Sequence, residues 1–281
     1  MTRYAICHVG PSKWYDYKIE AINGLYFSLL RLGKDVTIEH NRLDKSRLNL
    51  LIGADFLVAN KNATSQILQG GFDYAIFEIE KFDGISINSR KGFDIELYLS
   101  LIASAKFVFT PYMYNIKSYG TAGFGAKIRY LRWGFYPELV IPGRTFKEEK
   151  VWDACFFGLA KGKRKETIED LSKKIKLKVL GPQDPIHLRN YVLARSRYGL
   201  SLHYGPEEAF VNPFRIGLFL ANRVTVLSDS KIDDDGYLSP TTSVDSEDIL
   251  FSKMKSYFLK VRKVSEATED HQLLYSLRDL L

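Results

Sequence analysis

Ser196-Arg-Tyr-Gly-Leu-Ser-Leu-His-Tyr204 and Asn212-Pro-Phe-Arg-Ile-Gly-Leu-Phe-Leu-Ala-Asn-Arg-Val-Thr-Val-Leu-Ser-Asp229 decide the reading of the fold. They read as a buried strand, a loop carrying Glu207 and Glu208, a helix with Arg215 in its first turns, and a second buried strand. In doubly wound α/β proteins, ligands bind outside the carboxyl ends of such strands. An arginine at a helix start, beside a strand end, suits a diphosphate better than a core.

The same alternation extends in both directions. Upstream, strand patterns cover 3–9, 35–39, 74–79 and 107–110, with a short one over 127–131. Helical spacing covers 19–32, 64–69, 93–105 and 112–119, and the first of these stops at Gly33, a common helix terminator. The run 55–59 is apolar and bounded by polar residues. Pro142-Gly-Arg144 and the charged run Lys147-Glu-Glu-Lys150 read as a linker. Beyond it come strands over 152–157, 177–180, 198–203 and 224–227, with helices over 164–175, 186–194 and 213–221. Amphipathic helices are expected over 246–261 and 269–280. Strands alternating with helices predict parallel sheets covered on both faces. The expected architecture is α/β: two Rossmann-like domains, 1–145 and 146–281, with a cleft between them and C-terminal helices.

Composition sets the class. A chain of 281 residues suffices for two domains, and 46% apolar with 26% charged residues suits a soluble globular protein with a sizeable core. No apolar run reaches the ~20 residues of a membrane helix. The start, Met-Thr-Arg-Tyr-Ala-Ile-Cys-His-Val-Gly10, is too strand-like for a signal peptide. Cys7 and Cys155 each sit in an apolar run and read as buried reduced thiols. A cytoplasmic protein is expected, with no transmembrane segment. The net charge of +7 fits either nucleic acid or phosphorylated small molecules as partners.

Four constellations could carry chemistry. Phe157-Gly-Leu-Ala-Lys-Gly-Lys-Arg-Lys165 follows a strand and opens a helix. Gly158 and Gly162 allow close backbone approach, and Lys161, Lys163, Arg164 and Lys165 favour an anion at the helix start. Its spacing is not that of a P-loop, and a solvated basic turn is the competing reading. Around the opening segment, Arg197, His203, Tyr204, Glu207, Glu208, Asn212 and Arg215 lie near one strand end and one helix start. Arg215 would grip a phosphate bidentately, or pair with one of the glutamates. His203 alone reads better as a satisfied strand-end histidine. In Phe72-Asp-Tyr-Ala-Ile-Phe-Glu-Ile-Glu-Lys81, alternation places Glu78 and Glu80 on one face at a strand end. A carboxylate there suits a general base, and a structural pair with Lys81 or Arg90 is the alternative. The turn His8-Val-Gly-Pro-Ser-Lys-Trp-Tyr15 follows the first strand, where doubly wound domains place ligand loops. Gly120-Thr-Ala-Gly-Phe-Gly125 follows a helix-like segment, so it reads as a loop rather than a dinucleotide fingerprint. No metal-hydrolase or serine-nucleophile motif is present.

These residues together resemble the GT-B glycosyltransferases. Phe77-Glu-Ile-Glu80 resembles their acidic strand end. Tyr112-Met-Tyr-Asn115 through Tyr119-Gly120, then Leu131-Arg-Trp-Gly-Phe-Tyr-Pro-Glu138, resembles the passage before their linker. Asp153-Ala-Cys-Phe-Phe-Gly158 with Lys163-Arg164 resembles the first strand and basic turn of their donor domain. Ser196 to His203 with Arg215 resembles their nucleotide-sugar segment. The resemblance implies transfer of a sugar from a nucleoside-diphosphate sugar, a UDP-sugar first, to an acceptor hydroxyl, with no permanent cofactor and no metal. It implies Glu80 or Glu78 as base, Gly158, Lys161, Lys163, Arg164 and the residues around Arg215 on the donor, and His8, Gly10, Trp14, Tyr15, Tyr112 and Asn115 on the acceptor. Two positions depart: Asn212 and Leu218 stand where such enzymes carry acids that hold the donor ribose.

The acceptor stays open among a glycan, a glycolipid, a small molecule and DNA. The DNA alternative is similar to phage glucosyltransferases of hydroxymethylated bases, and it needs an aromatic-lined basic cleft, for which Trp14, Tyr15, Arg90, Lys91, Lys127 and Arg129 are the candidates. A third alternative is a non-catalytic nucleotide- or sugar-binding protein on the same scaffold.

Overall fold

The computed structural model describes residues 2–88, 92–142, 149–203, 211–229 and 259–260. These residues form two compact units that divide between Tyr136 and Pro137, ahead of the 145/146 boundary read from the linker.

The first unit is a six-stranded parallel sheet. Its strands are β1 (Arg3–His8), β2 (Asp35–His40), β3 (Leu48–Ile52), β4 (Tyr74–Phe77), β5 (Val108–Thr110) and β6 (Ile128–Tyr130), in the order β2-β1-β3-β4-β5-β6. The order reverses at β1, so the crevice at a topological switch point lies between the loops that follow β1 and β3. The connecting helices are α1 (Ile19–Arg31), α2 (Ala54–Leu57), α3 (Lys61–Gln69), α4 (Ile95–Ser104) and α5 (Met113–Thr121). Alternate strand residues serve opposite faces. Cys7, Leu51, Ile76 and Val108 pack with Ile67, Tyr98, Leu101 and Tyr119 on the face covered by α3, α4 and α5. On the other face Phe77 stacks on Trp133 at 5.9 Å, and Trp133 in turn lies against Gly24 of α1.

Strand β3 is an element that the sequence reading passed over. Asn49 interrupts its apolar run, yet Asn49 is fully buried. Its amide donates to the carbonyls of Asp44, Arg47 and Asp73, and its Oδ1 accepts from the Asp44 N–H. A buried amide so completely bonded is tolerated in a strand interior.

The second unit repeats the plan with β7 (Trp152–Phe157), α6 (Lys163–Ser172), β8 (Leu177–Leu180), α7 (Ile186–Ala194), β9 (Ser196–Ser201), α8 (Pro213–Ala221) and β10 (Thr225–Ser228). Strand β11 (Leu259–Lys260) adds antiparallel to β10, and the order is β11-β10-β9-β7-β8. These two residues correct the expectation of a helix over 246–261. The rest of that segment, and the helix expected over 269–280, lie outside the described residues. The switch point falls between β7 and β9. Ala154, Phe156, Tyr198 and Leu200 face α6, and Phe157 stacks on Phe219 of α8 at 5.5 Å.

Helix α8 lies unusually close to β9 because residue 199 has no side chain. A Cβ at Gly199 would sit 2.5 Å from the Phe219 ring, a fully buried group with nowhere to go. Gly199→Ala is therefore expected to lift α8 and lower stability by about 1–3 kcal/mol, the usual cost of overpacking. Chemical denaturation measures it, and a midpoint equal to wild type would refute the close-packing argument.

Candidate functional site

In the second unit the carboxyl ends of β7 and β9 bring two arginines together. Gly158 follows β7 with φ +137°, a conformation open to glycine, and a Cβ there would lie 3.0 Å from Arg215 Nη2. Arg215 sits in the first turn of α8. Its backbone N–H donates to the side chain of Asn212, which caps the helix, and its Nη1 donates to the Leu202 carbonyl at 3.4 Å. Arg164, in the first turn of α6, donates from Nη1 to the Leu159 carbonyl at 2.9 Å. Both guanidinium groups lie against the Phe156 ring, at 5.4 Å for Arg164 and 5.2 Å for Arg215. Both residues are more than nine-tenths buried. Among the described residues no carboxylate pairs with Arg215. Like charges gathered beside one apolar ring repel, and an anion bound beside them relieves that repulsion.

The other donor-side candidates divide. Lys161 and Lys163 are exposed on the same turn, while Lys165 pairs with Glu169 at 3.6 Å along α6. His203 is held by Asp229: Nδ1 lies 2.6 Å from Oδ2, and the backbone N–H donates to Oδ1. Arg197 does not join the group. It is exposed at the amino end of β9, about 16 Å of strand from Leu202. Tyr204, Glu207 and Glu208 lie outside the described residues. Leu218 is buried on α8, where an acid would lie among apolar neighbours.

In the first unit the carboxyl edge holds the buried ionisable groups His8, Lys18, Asp55 and Glu78, with His40 exposed beside His8. His8 and His40 are register partners on β1 and β2, with Nδ1 atoms 3.0 Å apart. Their planes differ by only 10° and their centres are 5.1 Å apart, so the rings meet nitrogen to nitrogen rather than face to face. The proton positions follow from Asn41. Its Oδ1 accepts from the Gly10 N–H, so its Nδ2 donates to the Gly10 carbonyl and to His40 Nε2. A neutral His40 then carries its proton on Nδ1 and donates to His8 Nδ1, which leaves the His8 proton on Nε2. That Nε2 is buried with no hydrogen-bond partner. Burial, then the neighbouring Lys18, push the His8 pKa down to about 4. Lys18 and Asp55 are themselves buried and stand 3.7 Å apart, and Lys18 Nζ also lies over the Phe56 ring at 4.8 Å.

Beyond β4 the strand pattern ends, so Glu78 and Glu80 do not share a strand face. Glu78 is sealed inside. Its Oε2 is 2.5 Å from the Tyr98 hydroxyl, which is 2.6 Å from that of Tyr119, and its Oε1 accepts from the Glu80 N–H. Burial, reinforced by the nearby Asp55 charge, raises the Glu78 pKa to about 8. Glu80 is half-buried at the rim, and Asn88 donates to its Oε2 at 2.6 Å. Asn115 is fully buried. Its Oδ1 accepts from Phe82 N–H, and its Nδ2 donates to the Glu80 carbonyl and to Thr110 Oγ1. The bonds to Phe82 and Glu80 hold the loop that carries Glu80, and the bond to Thr110 anchors Asn115 at the end of β5. Tyr112 precedes α5 and is mostly buried. Trp14 and Tyr15 are half-buried after β1, where Tyr15 presents its edge to His8 and Trp14 packs with Tyr17.

Among the described candidates for a DNA cleft, the basic residues stand apart from the aromatic ones. Lys127 precedes β6, at the amino edge of the sheet, and donates to the Ala103 and Ala105 carbonyls. Arg129 stacks on Phe107 at 4.6 Å. Strand β6 is four strand spacings from β1, roughly 19 Å, and Trp14 and Tyr15 lie at the opposite edge. Arg90 and Lys91 lie outside the described residues. Sequence reasoning missed Lys18, Asp55, Tyr98 and Tyr119. A glycine directly after an apolar run, Gly53 before Asp55, was the available signal for the loop after β3.

Among the described residues no group of three or more histidine, cysteine or acidic side chains stands together to hold a metal, and no helix is long and apolar enough to cross a membrane. Comparison with protein families gives no match, and comparison with curated proteins gives none. Among solved structures, the chain is similar to a putative UDP-N-acetylglucosamine 2-epimerase from Listeria monocytogenes, at 10% identity and a TM-score of 0.43 over 82% of this chain and 80% of that one. The fold itself rests on the strand orders given above.

Glu78 makes stability depend on pH. Its folded pKa of about 8 exceeds its ordinary 4.5, so its contribution is full below 4.5 and is lost as pH rises through 8. Glu78→Gln removes that loss. Urea melts are expected to show the variant gaining on wild type between about pH 5 and about pH 9. A constant difference across that range would mean that Glu78 does not titrate there.

Proposed function

We propose that the chain is a sugar transferase whose second unit holds the diphosphate of a nucleoside-diphosphate sugar, a UDP-sugar first. The observation that supports this is the pair Arg164 and Arg215 beside Phe156, at a switch point, with Gly158 opening the backbone next to Arg215. The resemblance of the two-domain pattern to GT-B glycosyltransferases supports the same reading.

In the proposed reaction a bond forms between the acceptor oxygen and the anomeric carbon, and the bond from that carbon to the diphosphate breaks. The acceptor proton passes to Glu80, whose carboxylate is held by Asn88 at the rim of the first unit. The negative charge developing on the diphosphate is met by Arg164 and Arg215, with Lys161 and Lys163 adding long-range attraction. Glu78, sealed beneath Tyr98, supports the loop rather than exchanging protons with a substrate.

The direct test is calorimetric titration with UDP and UDP-glucose. Arg215→Ala is expected to weaken both at least tenfold, about 1.4 kcal/mol. A correctly folded variant with unchanged affinity would remove Arg215 from the donor site. A wild-type protein that binds no nucleoside diphosphate would remove the donor assignment as a whole.

Glu80→Gln separates chemistry from binding. Turnover should fall by about 100-fold or more, the scale of general base catalysis, while UDP affinity stays near wild type. Wild-type turnover would remove Glu80 as the base.

A further inference from the structure

The first unit contains a cavity of about 650 Å³, lined in part by Gly10, to which the proposed transfer reaction assigns no step. That volume falls within the range of small-molecule sites. Its walls come from separate parts of the chain: the end of β1, the crossover from β2 to β3, α2, and α3 with the turn after it. Leu43, Phe56, Ile67 and Phe72 give it an apolar lining, and the amides of Asn60 and Gln66 stand at its rim. None of the lining residues is charged. Lys45 lies over the Phe72 ring at 5.4 Å and is not among the lining residues.

The mouth is rigidly built. Gly10 and Asn41, which both line it, have positive φ, at +125° and +52°. Asn41 clasps Gly10 through two hydrogen bonds, tying the loops after β1 and β2 together. A Cβ at Gly10 would come within 2.9 Å of the Phe56 ring, so this glycine lets the ring press on the backbone. Thr64 Oγ1 donates to the Leu57 carbonyl at 2.7 Å, and Asn60 caps α3, which fixes the opposite wall. A preformed cavity binds without first paying an ordering cost.

We infer that this cavity is a binding site for an uncharged, largely apolar small molecule that carries a hydroxyl or carbonyl group. The apolar walls reject an ionised ligand, because a buried charge without a partner is costly. The rim amides supply both donors and acceptors for a neutral polar group. The site stands whether or not the second unit binds a nucleoside diphosphate.

The test uses the full chain and two fluorescent probes, 2-naphthol and its charged analogue 2-naphthyl phosphate. Saturable binding of 2-naphthol is expected, with 2-naphthyl phosphate at least about tenfold weaker. Ala63→Phe, which fills the cavity from α3, should abolish 2-naphthol binding, and Gln66→Trp at the rim should weaken it. Asn62→Phe, on an exposed position of α3 outside the cavity, should leave binding unchanged, and thermal melts confirm that all three variants fold. The inference is overturned if 2-naphthol shows no saturable binding. It is equally overturned if folded Ala63→Phe and Gln66→Trp both bind as wild type does, or if 2-naphthyl phosphate displaces 2-naphthol from the wild-type chain as readily as unlabelled neutral alcohol does.

Discussion

A parallel sheet covered by helices on both faces leaves its strand ends as the main outlet for polar chemistry. Both units obey that constraint. Strands β3 and β4 are buried along their whole length, and so is most of β7. Ionisable side chains therefore collect where the chain leaves the sheet: His8 and Glu78 at or just after strands of the first unit, Arg164 and Arg215 at helix starts of the second. In the second unit the close approach of α8 to β9, allowed by Gly199, sets where Arg215 can reach.

The two carboxyl edges differ in electrical character. That of the second unit gathers cations against Phe156. That of the first keeps charge down near neutral pH: His8 is held neutral, Glu78 is held protonated, and Lys18 faces Asp55. The cavity beside Gly10 continues this pattern with a wall free of charged side chains. A negatively charged partner is thus favoured at one edge and a neutral one at the other.

Much of the fold was legible because its elements carry regular signals. The strand at 152–157 and the helix at 213–221 stand where the pattern placed them, and Gly33 ends α1 with φ +67°. Strand β3 was hidden because Asn49 breaks its apolar run, and the bond that ties Asn49 to the neighbouring segment comes from Asp73, distant in sequence. The pair at 259–260 was hidden because its partner strand, β10, lies some thirty positions upstream, and helical periodicity carries no trace of such pairing. The site was legible where a residue's position along its own element decides its place, as for Arg164 and Arg215. It failed for Arg197, which heads the strand rather than ending it, and for Glu78 and Glu80, where alternation was carried past the last paired residue. Lys18 and Asp55 were invisible because only tertiary packing joins them.

His8 and Glu78 also act on one another's consequences without touching. Between pH 4.5 and 6.5, folding takes up a proton at Glu78 and releases one at His8, since the first group is held protonated and the second neutral. The net proton exchange from this pair in that interval is close to zero. The first unit therefore carries an internal compensation against mild acidification, built from one buried acid and one buried base whose displaced titrations run in opposite directions.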